Sequence, residues 1–398
     1  MNPIPYGRQE ITDEDIAAVV ATLKSDYLTQ GPKIKEFEFA FANYVGCKYA
    51  VAISNGTAAL HLSAKAMGVK AGDKVITTPI TFAASANCVR YCGGEVIFSD
   101  IDPETYLIDL NEVRKLLEAS PIGTYKGIIP VDFAGRSVDL EACKRLADEY
   151  DLFIIEDACH APGGYFTDSK QEVQKCGNGV YSDLSVFSFH PVKHIAVGEG
   201  GMITTNDETL YKKLLGLRTH GMVKSDSAFL NSSTFAQGIE KDEQNDNYPG
   251  WYMEMQSLGY NYRLTDFQAT LGVSQLNRAA RGLKRRREIA KMYFDAFKND
   301  DFIKRQSGNV EGNAYHLYVL EVKDRLGLYN FLRTQNIFTQ IHYIPCHLMP
   351  YYRQLGWKEG DLNHSEEYYK NCISIPMYPS LSDSEIEYVI LSIKRYYQ

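Results

Sequence analysis

The sequence predicts an α/β fold, with a mostly parallel central sheet and a smaller C-terminal α/β domain. Three observations carry this expectation. Short apolar runs alternate with helical periods from Tyr49 to Thr205, the pattern of a parallel sheet with helices on both faces. Two of these runs end in chemically marked residues, as strand ends do in open sheets that bind ligands beyond their carboxyl edge. The 398 residues suffice for one large core and a second, smaller one. The expected parts are an N-terminal arm and helix at 1–30, a large domain at 31–280 and a small domain at 281–398.

Thr12 followed by Asp13, Glu14 and Asp15 marks a helix start, with a capping hydroxyl and acidic groups in the positive first turn. Ile16, Val19, Val20 and Leu23 then share one apolar face. Gly31 and Pro32 end this segment, and a second amphipathic helix follows with Ile34, Phe37, Phe41 and Tyr44. Strands are expected at 49–54, 74–78, 95–99, 127–131, 152–156, 184–189 and 201–205. Helices lie between, as at 139–150, where Leu140, Cys143, Leu146 and Ala147 repeat at helical spacing, and again at 207–218. Residues 225–254 are polar, in places acidic and without period, so they read as a long surface excursion. A helix starts near Thr265 and Asp266, and the run Lys284–Arg287 reads as a solvated face. Past residue 300, strands are expected at 315–322 and 338–343, and helices at 323–335 and 383–397. Tyr351, Tyr352, Trp357, Tyr368 and Tyr369 read as packing.

A net charge of -8 argues against nucleic-acid binding, and no basic helix-turn-helix segment is present. It leaves room for an anionic small ligand, because a few amides and cations suffice to hold phosphate. The eight cysteines are scattered without a C-x-x-C pair, as expected of reduced thiols in a cytoplasmic protein with no metal site. Neither a signal segment nor an apolar run of membrane-spanning length is seen, so no membrane partner is expected. Walker A and G-x-G-x-x-G patterns are absent, which disfavours kinases and dehydrogenases.

The informative chemistry lies between Asp157 and Gly201. The run I-I-E-D-A-C-H-A (Ile154 to Ala161) delivers Asp157 and His160 beyond one apolar strand. The run S-F-H-P-V-K-H-I-A-V-G-E-G-G (Ser188 to Gly201) delivers Lys193 into a glycine-rich turn beyond another. A lysine able to form a Schiff base and a carboxylate able to keep a pyridine nitrogen protonated suit pyridoxal phosphate (PLP). The turn S-N-G-T-A-A-L (Ser54 to Leu60) joins a strand to a helix with a small backbone and the Thr57 hydroxyl. It suits a phosphate, and equally an ordinary capped turn.

With P-Y-G-R-Q-E-I (Pro5 to Ile11) and G-Y-N-Y-R-L (Gly259 to Leu264), these motifs resemble the DegT/DnrJ/EryC1/StrS family of sugar aminotransferases over nearly the whole chain. The resemblance implies the PLP-dependent transferase fold of the aspartate aminotransferase type (fold type I). It implies Lys193 as the Schiff-base lysine and Asp157 as the partner of the ring nitrogen. It places Gly56, Thr57, Ala58 and Ser188 at the cofactor phosphate, Phe82 against the ring and His160 near the phenolic oxygen. Asn261 is expected to reach the cofactor phosphate of a neighbouring subunit, which implies a homodimer with shared active sites. Tyr6 and His342 are candidate substrate contacts, and His342 reads equally well as a structural histidine.

Some relatives carry histidine in place of the lysine and are dehydratases. Here Lys193 holds the lysine position and His194 falls one residue late, which favours transamination. The segments D-F-A-G-R-S (Asp132 to Ser137), R-T-H-G-M-V-K (Arg218 to Lys224) and Q-I-H-Y-I-P (Gln340 to Pro345) resemble the pseudaminic acid branch. That branch implies a UDP-4-keto-6-deoxy-N-acetyl hexosamine aminated at C4, with glutamate as donor. The alternatives are another nucleotide-sugar 3- or 4-aminotransferase, a PLP-dependent sugar dehydratase and a non-catalytic PLP-binding regulator.

Overall fold

The structure is a computed structural model that describes residues 2–238 and 247–398; the part of the polar excursion at 239–246 lies outside the described residues. Its centre is a seven-stranded sheet built from Tyr49–Ile53 (β1), Lys74–Thr77 (β2), Glu95–Phe98 (β3), Tyr125–Ile129 (β4), Phe153–Asp157 (β5), Leu184–Ser188 (β6) and Gly201–Thr205 (β7). The order across the sheet is β1-β7-β6-β5-β4-β2-β3. Strand β7 runs antiparallel to β1 and β6, and the remaining pairings are parallel. Each strand lies within two residues of its expected place. Every residue of β5 and β7 is buried, because helices cover both faces; that is why such strands read as unbroken small or apolar runs rather than alternating ones.

The helix Pro32–Val45 uses the expected face: Ile34, Phe37 and Phe41 are buried, and Phe41 packs on Phe187 and Phe189 behind β6. Gly46, at φ 89°, ends the helix in the left-handed conformation that glycine adopts without penalty. The first helix, Asp13–Leu23, starts as expected, with a capping box between Thr12 and Asp15. Its apolar face, however, points outward. Ile16, Val20 and Leu23 are 53%, 41% and 52% exposed. The inward face is polar and fully bonded. Asp15 accepts from Ser274 Oγ at 2.6 Å and pairs with Arg278 at 2.6 Å, and Thr22 bonds Thr270 at 2.8 Å. Polar partners on the helix Asp266–Leu276 and just beyond it decide which side faces in.

Beyond residue 279 the chain builds a three-stranded antiparallel sheet from Ile303–Gln306, Tyr318–Val322 and Cys372–Ile375. The helices Ala279–Phe297, Arg325–Thr334 and Asp383–Tyr397 pack with it. The expected strand at 315–322 begins only at Tyr318, since Tyr315 sits at φ 48°, outside the strand region. The strand expected at 338–343 shrinks to Ile337–Phe338, which pairs in parallel with Ile4–Pro5. Tyr352, Tyr368 and Trp357 pack against Phe98 and Tyr106, as expected.

The basic run Lys284–Arg287 is not a solvated face. Lys284 is exposed, Arg285 and Arg287 are half-buried and Arg286 is fully buried. Arg286 Nη1 donates to the carbonyls of Tyr315, His316 and Met377 at 3.0–3.3 Å. The stretch 314–317 is therefore stitched from several sides. Ala314 N–H donates to Gly135 O at 2.8 Å, Leu317 N–H to Ala134 O at 3.2 Å, and His194 Nε2–H to Ala314 O at 2.8 Å. A side chain on Gly135, at φ 101°, would stand 2.5 Å from Tyr315 N, so only glycine allows this approach.

Candidate active site

A cavity of about 920 Å³ opens beyond the carboxyl ends of β1, β2, β5 and β6. Its wall includes Tyr6, Gly56, Thr57, Ala58, Phe82, Asp157, His160, Ser188, Lys193 and His342, which are all the sequence-predicted site residues except Asn261. Asn261 is exposed and bridges to Thr219 outside this cavity.

Asp157 is the last residue of β5 and is buried. One carboxylate oxygen accepts from Ser85 Oγ at 2.6 Å, the other from the Cys159 N–H at 3.2 Å. Ser85 in turn bonds Thr81 at 2.7 Å, so the carboxylate is oriented by a chain of hydroxyls from the loop after β2. The neighbouring Glu156 points to the opposite side of the sheet, as alternation along a strand requires. There Asp132, Glu156 and Cys176 gather within 4.8 Å of one another. Burial, and in Asp132 the charge of Glu156, raise both carboxyls above the usual range, so this pair favours holding a proton.

Lys193 stands five residues past β6, in a turn fixed by its own N–H bonding His190 O at 2.8 Å and by Val197 N–H bonding Phe189 O at 2.9 Å. Its pKa is lowered, chiefly by burial, with Cys159 and Asp157 acting in the opposite direction. A lysine so placed loses its proton more readily than a solvated one.

Asn55 caps the helix Gly56–Ala66 by accepting from Ala58 N–H at 2.8 Å. That leaves the first-turn amides of Gly56 and Thr57 as donors at the positive end of the helix. A Cβ on Gly56 would lie 2.9 Å from Ser188 Cβ, so the glycine lets the Ser188 hydroxyl and the helix start share one small cradle. Amides, a hydroxyl and a helix terminus together suit a phosphate.

Phe82 is not core: it is 61% exposed at the cavity, with its ring 6.3 Å from that of Tyr343. His160 is buried and neutral. Its Nδ1 accepts from Ala134 N–H at 3.3 Å, so the ring proton sits on Nε2, 3.3 Å from Tyr343 Oη. Burial pushes its pKa well below the imidazole range, and the charge of Lys193 adds to this. His342 bonds Ser374 Oγ at 2.9 Å and lies with its ring 5.1 Å from Tyr6; burial pushes its pKa down to about 3. It is thus both structurally tied and cavity-lining.

Sequence reasoning missed Ser85, Tyr343 and His316, all of which line the cavity. Ser85 carried a usable signal, a hydroxyl one helical turn after Thr81 beyond a strand end. His316, with its ring 4.3 Å from His160, carried none, because only the fold brings the two together.

Residues 9–394 match the DegT/DnrJ/EryC1/StrS aminotransferase family. The spore coat polysaccharide biosynthesis protein SpsC of Bacillus subtilis is 39% identical, covering 98% of this chain and 96% of its own. The UDP-4-amino-4,6-dideoxy-N-acetyl-beta-L-altrosamine transaminase of Campylobacter jejuni is 34% identical, with coverages of 97% and 95%. Among solved structures, the Helicobacter pylori aminotransferase PseC, described as involved in pseudoaminic acid biosynthesis, superposes with a TM-score of 0.87 at 28% identity, covering 99% of both chains.

Proposed function

The chain belongs to the DegT/DnrJ/EryC1/StrS aminotransferase family and is a PLP-dependent sugar aminotransferase of fold type I; on that premise we propose that it moves an amino group from glutamate to the C4 keto carbon of a UDP-4-keto-6-deoxy-N-acetyl hexosamine. The observation that carries this reading is the convergence of Lys193, Asp157 and the Gly56–Ser188 cradle on one cavity. The choice of sugar is supported by the names of the Campylobacter and Helicobacter relatives.

PLP, when bound, supplies an electron sink for the carbon that loses its proton. The chain's own residues do the rest. Lys193 would hold the cofactor through Nζ, and its lowered pKa lets the freed amine accept a proton and return it. Asp157 would face the ring nitrogen. Ser85 Oγ and the Cys159 N–H donate to its two oxygens and orient it, so its negative charge would stabilise a proton on that nitrogen. The amides of Gly56 and Thr57 and the Ser188 hydroxyl would take the phosphate, and Phe82 would cover one ring face. His160, neutral, offers its Nε2–H without adding charge beside Lys193. Tyr6 and His342 line the same cavity and would meet the sugar nucleotide.

A homodimer is part of this reading. The outward apolar ridge Ile16, Val20 and Leu23 and the exposed Asn261 support it, since both would be used by a second copy. So is the division near residue 280, supported by an apolar cluster that takes all its buried members except Ile4 from 289–393.

The reading is tested by supplying 15N-glutamate and the UDP-4-keto sugar to the cofactor-loaded enzyme and locating the label by NMR. We expect 15N on C4 of the sugar and loss of the visible band of the lysine-bound cofactor when glutamate alone is added. Label on C3, or a band that glutamate leaves unmoved, would refute the assignment of position or of donor respectively.

A further inference from the structure

A second cavity, of about 490 Å³, meets the first at Lys193, and His194 lines the second alone. Its wall carries six other cations, Arg8, Arg278, Arg281, Lys284, Arg285 and Arg286, against two carboxylates, Glu10 and Glu288. The whole chain has a net charge of -8, so this excess runs against its overall balance. Some of these cations are neutralised. Arg278 pairs with Asp15 and Arg285 with Asp383, each at 2.6 Å, and Arg281 approaches Glu10 at 3.7 Å. Arg8 and Lys284 have no ion pair among the described residues.

Arg286 is the telling member. It is 1% exposed, its Nη1 reaches only backbone carbonyls, and its Nε has no acceptor. A buried guanidinium with no counter-charge and an unused N–H is costly unless something anionic comes to it. The same cavity includes Ala279, the first residue of the helix Ala279–Phe297, whose start carries no side-chain cap. An uncapped terminus of a 19-residue helix adds free amides and positive potential. Three unpaired cations and a helix start call for a polyvalent anion, and guanidinium groups match phosphate oxygens in paired N–H···O contacts.

We propose that this cavity is a second ligand site, separate from the cofactor cradle, that binds a small molecule through a diphosphate group. Arg8 and Lys284 provide mobile charge at its opening, Arg286 fixed charge in its wall, and the helix start free amides. Because Lys193 lines both cavities, an occupant lies directly behind the turn that positions this lysine.

The test is equilibrium dialysis of radiolabelled inorganic pyrophosphate against the cofactor-loaded protein. In that form the cradle at Gly56 and Ser188 is already filled. We expect saturable binding of one pyrophosphate per chain, weakening as salt is raised. The double variant Arg8→Ala/Lys284→Ala and the single variant Lys284→Glu should each bind at least about tenfold more weakly, as loss of charge-assisted contacts implies. Both residues are exposed, so these variants should fold. No saturable uptake at millimolar pyrophosphate, or uptake of unchanged affinity in both variants, would overturn the proposal. Neither result would touch the aminotransferase reading, which the 15N experiment decides.

Discussion

Lys193→Ala is expected to leave turnover at least about 10⁴-fold below the parent enzyme, since it removes both the covalent anchor and the proton carrier. Among the described residues Lys193 is the only lysine lining the main cavity, so none of their other amines stands ready to take its place. The cradle is untouched by this change, and cofactor should still bind, but without a covalent link. Mass spectrometry after borohydride reduction reads this directly: the parent chain keeps the mass of the cofactor and the variant does not. Steady-state rates with glutamate and keto-sugar supply the second readout. Full turnover in the variant would remove Lys193 from the mechanism altogether.

Asp157→Asn should bind cofactor and lose roughly 10²- to 10⁴-fold in kcat, the range for removing a group that controls protonation. A hundredfold loss corresponds to about 2.7 kcal/mol of barrier. The amide keeps an oxygen to accept from Ser85 Oγ, so the local bonds have a neutral substitute. What disappears is the negative charge that favours a protonated ring nitrogen. Activity near that of the parent would show that the charge is not used. Asp157→Ala serves as the harsher control, because it strands the buried Ser85–Thr81 hydroxyl pair without its acceptor.

The sheet was readable because buried parallel strands announce themselves as short apolar runs, and the spacing between them leaves room for crossover helices. The direction of β7 was not readable: five residues after a glycine-rich turn look the same whichever way they run. That Asp157, Lys193 and the Gly56 turn share one cavity was readable since each lies at or just beyond a strand's carboxyl end, where open sheets form their crevice. Side-chain destinations were less so. The apolar stripe of the first helix suggested a buried face, yet Asp15 and Thr22 find partners inside and turn it outward. The basic run at 284–287 looked solvated, yet Arg286 finds three carbonyls in the interior. Ser85 and His316 depended on contacts between distant segments, which periodicity does not report.

The stitched stretch 314–317 bears on how this enzyme can move. It contains His316, which lines the cavity, and it is held at once by the 134–135 turn, by His194 next to Lys193 and by Arg286. At about 0.5–1.5 kcal/mol for each hydrogen bond, parting these segments would be expensive. A rigid rotation of the C-terminal part would therefore have its pivot here, almost touching the chemistry. Near a pivot displacements are smallest, so His316 and Lys193 would hold their spacing throughout such a swing. Larger excursions would fall to the far rim around Tyr6, Phe82 and Ile344. Any opening by such a swing would then fall to the outer lip, while the spacing around Lys193 would stay fixed.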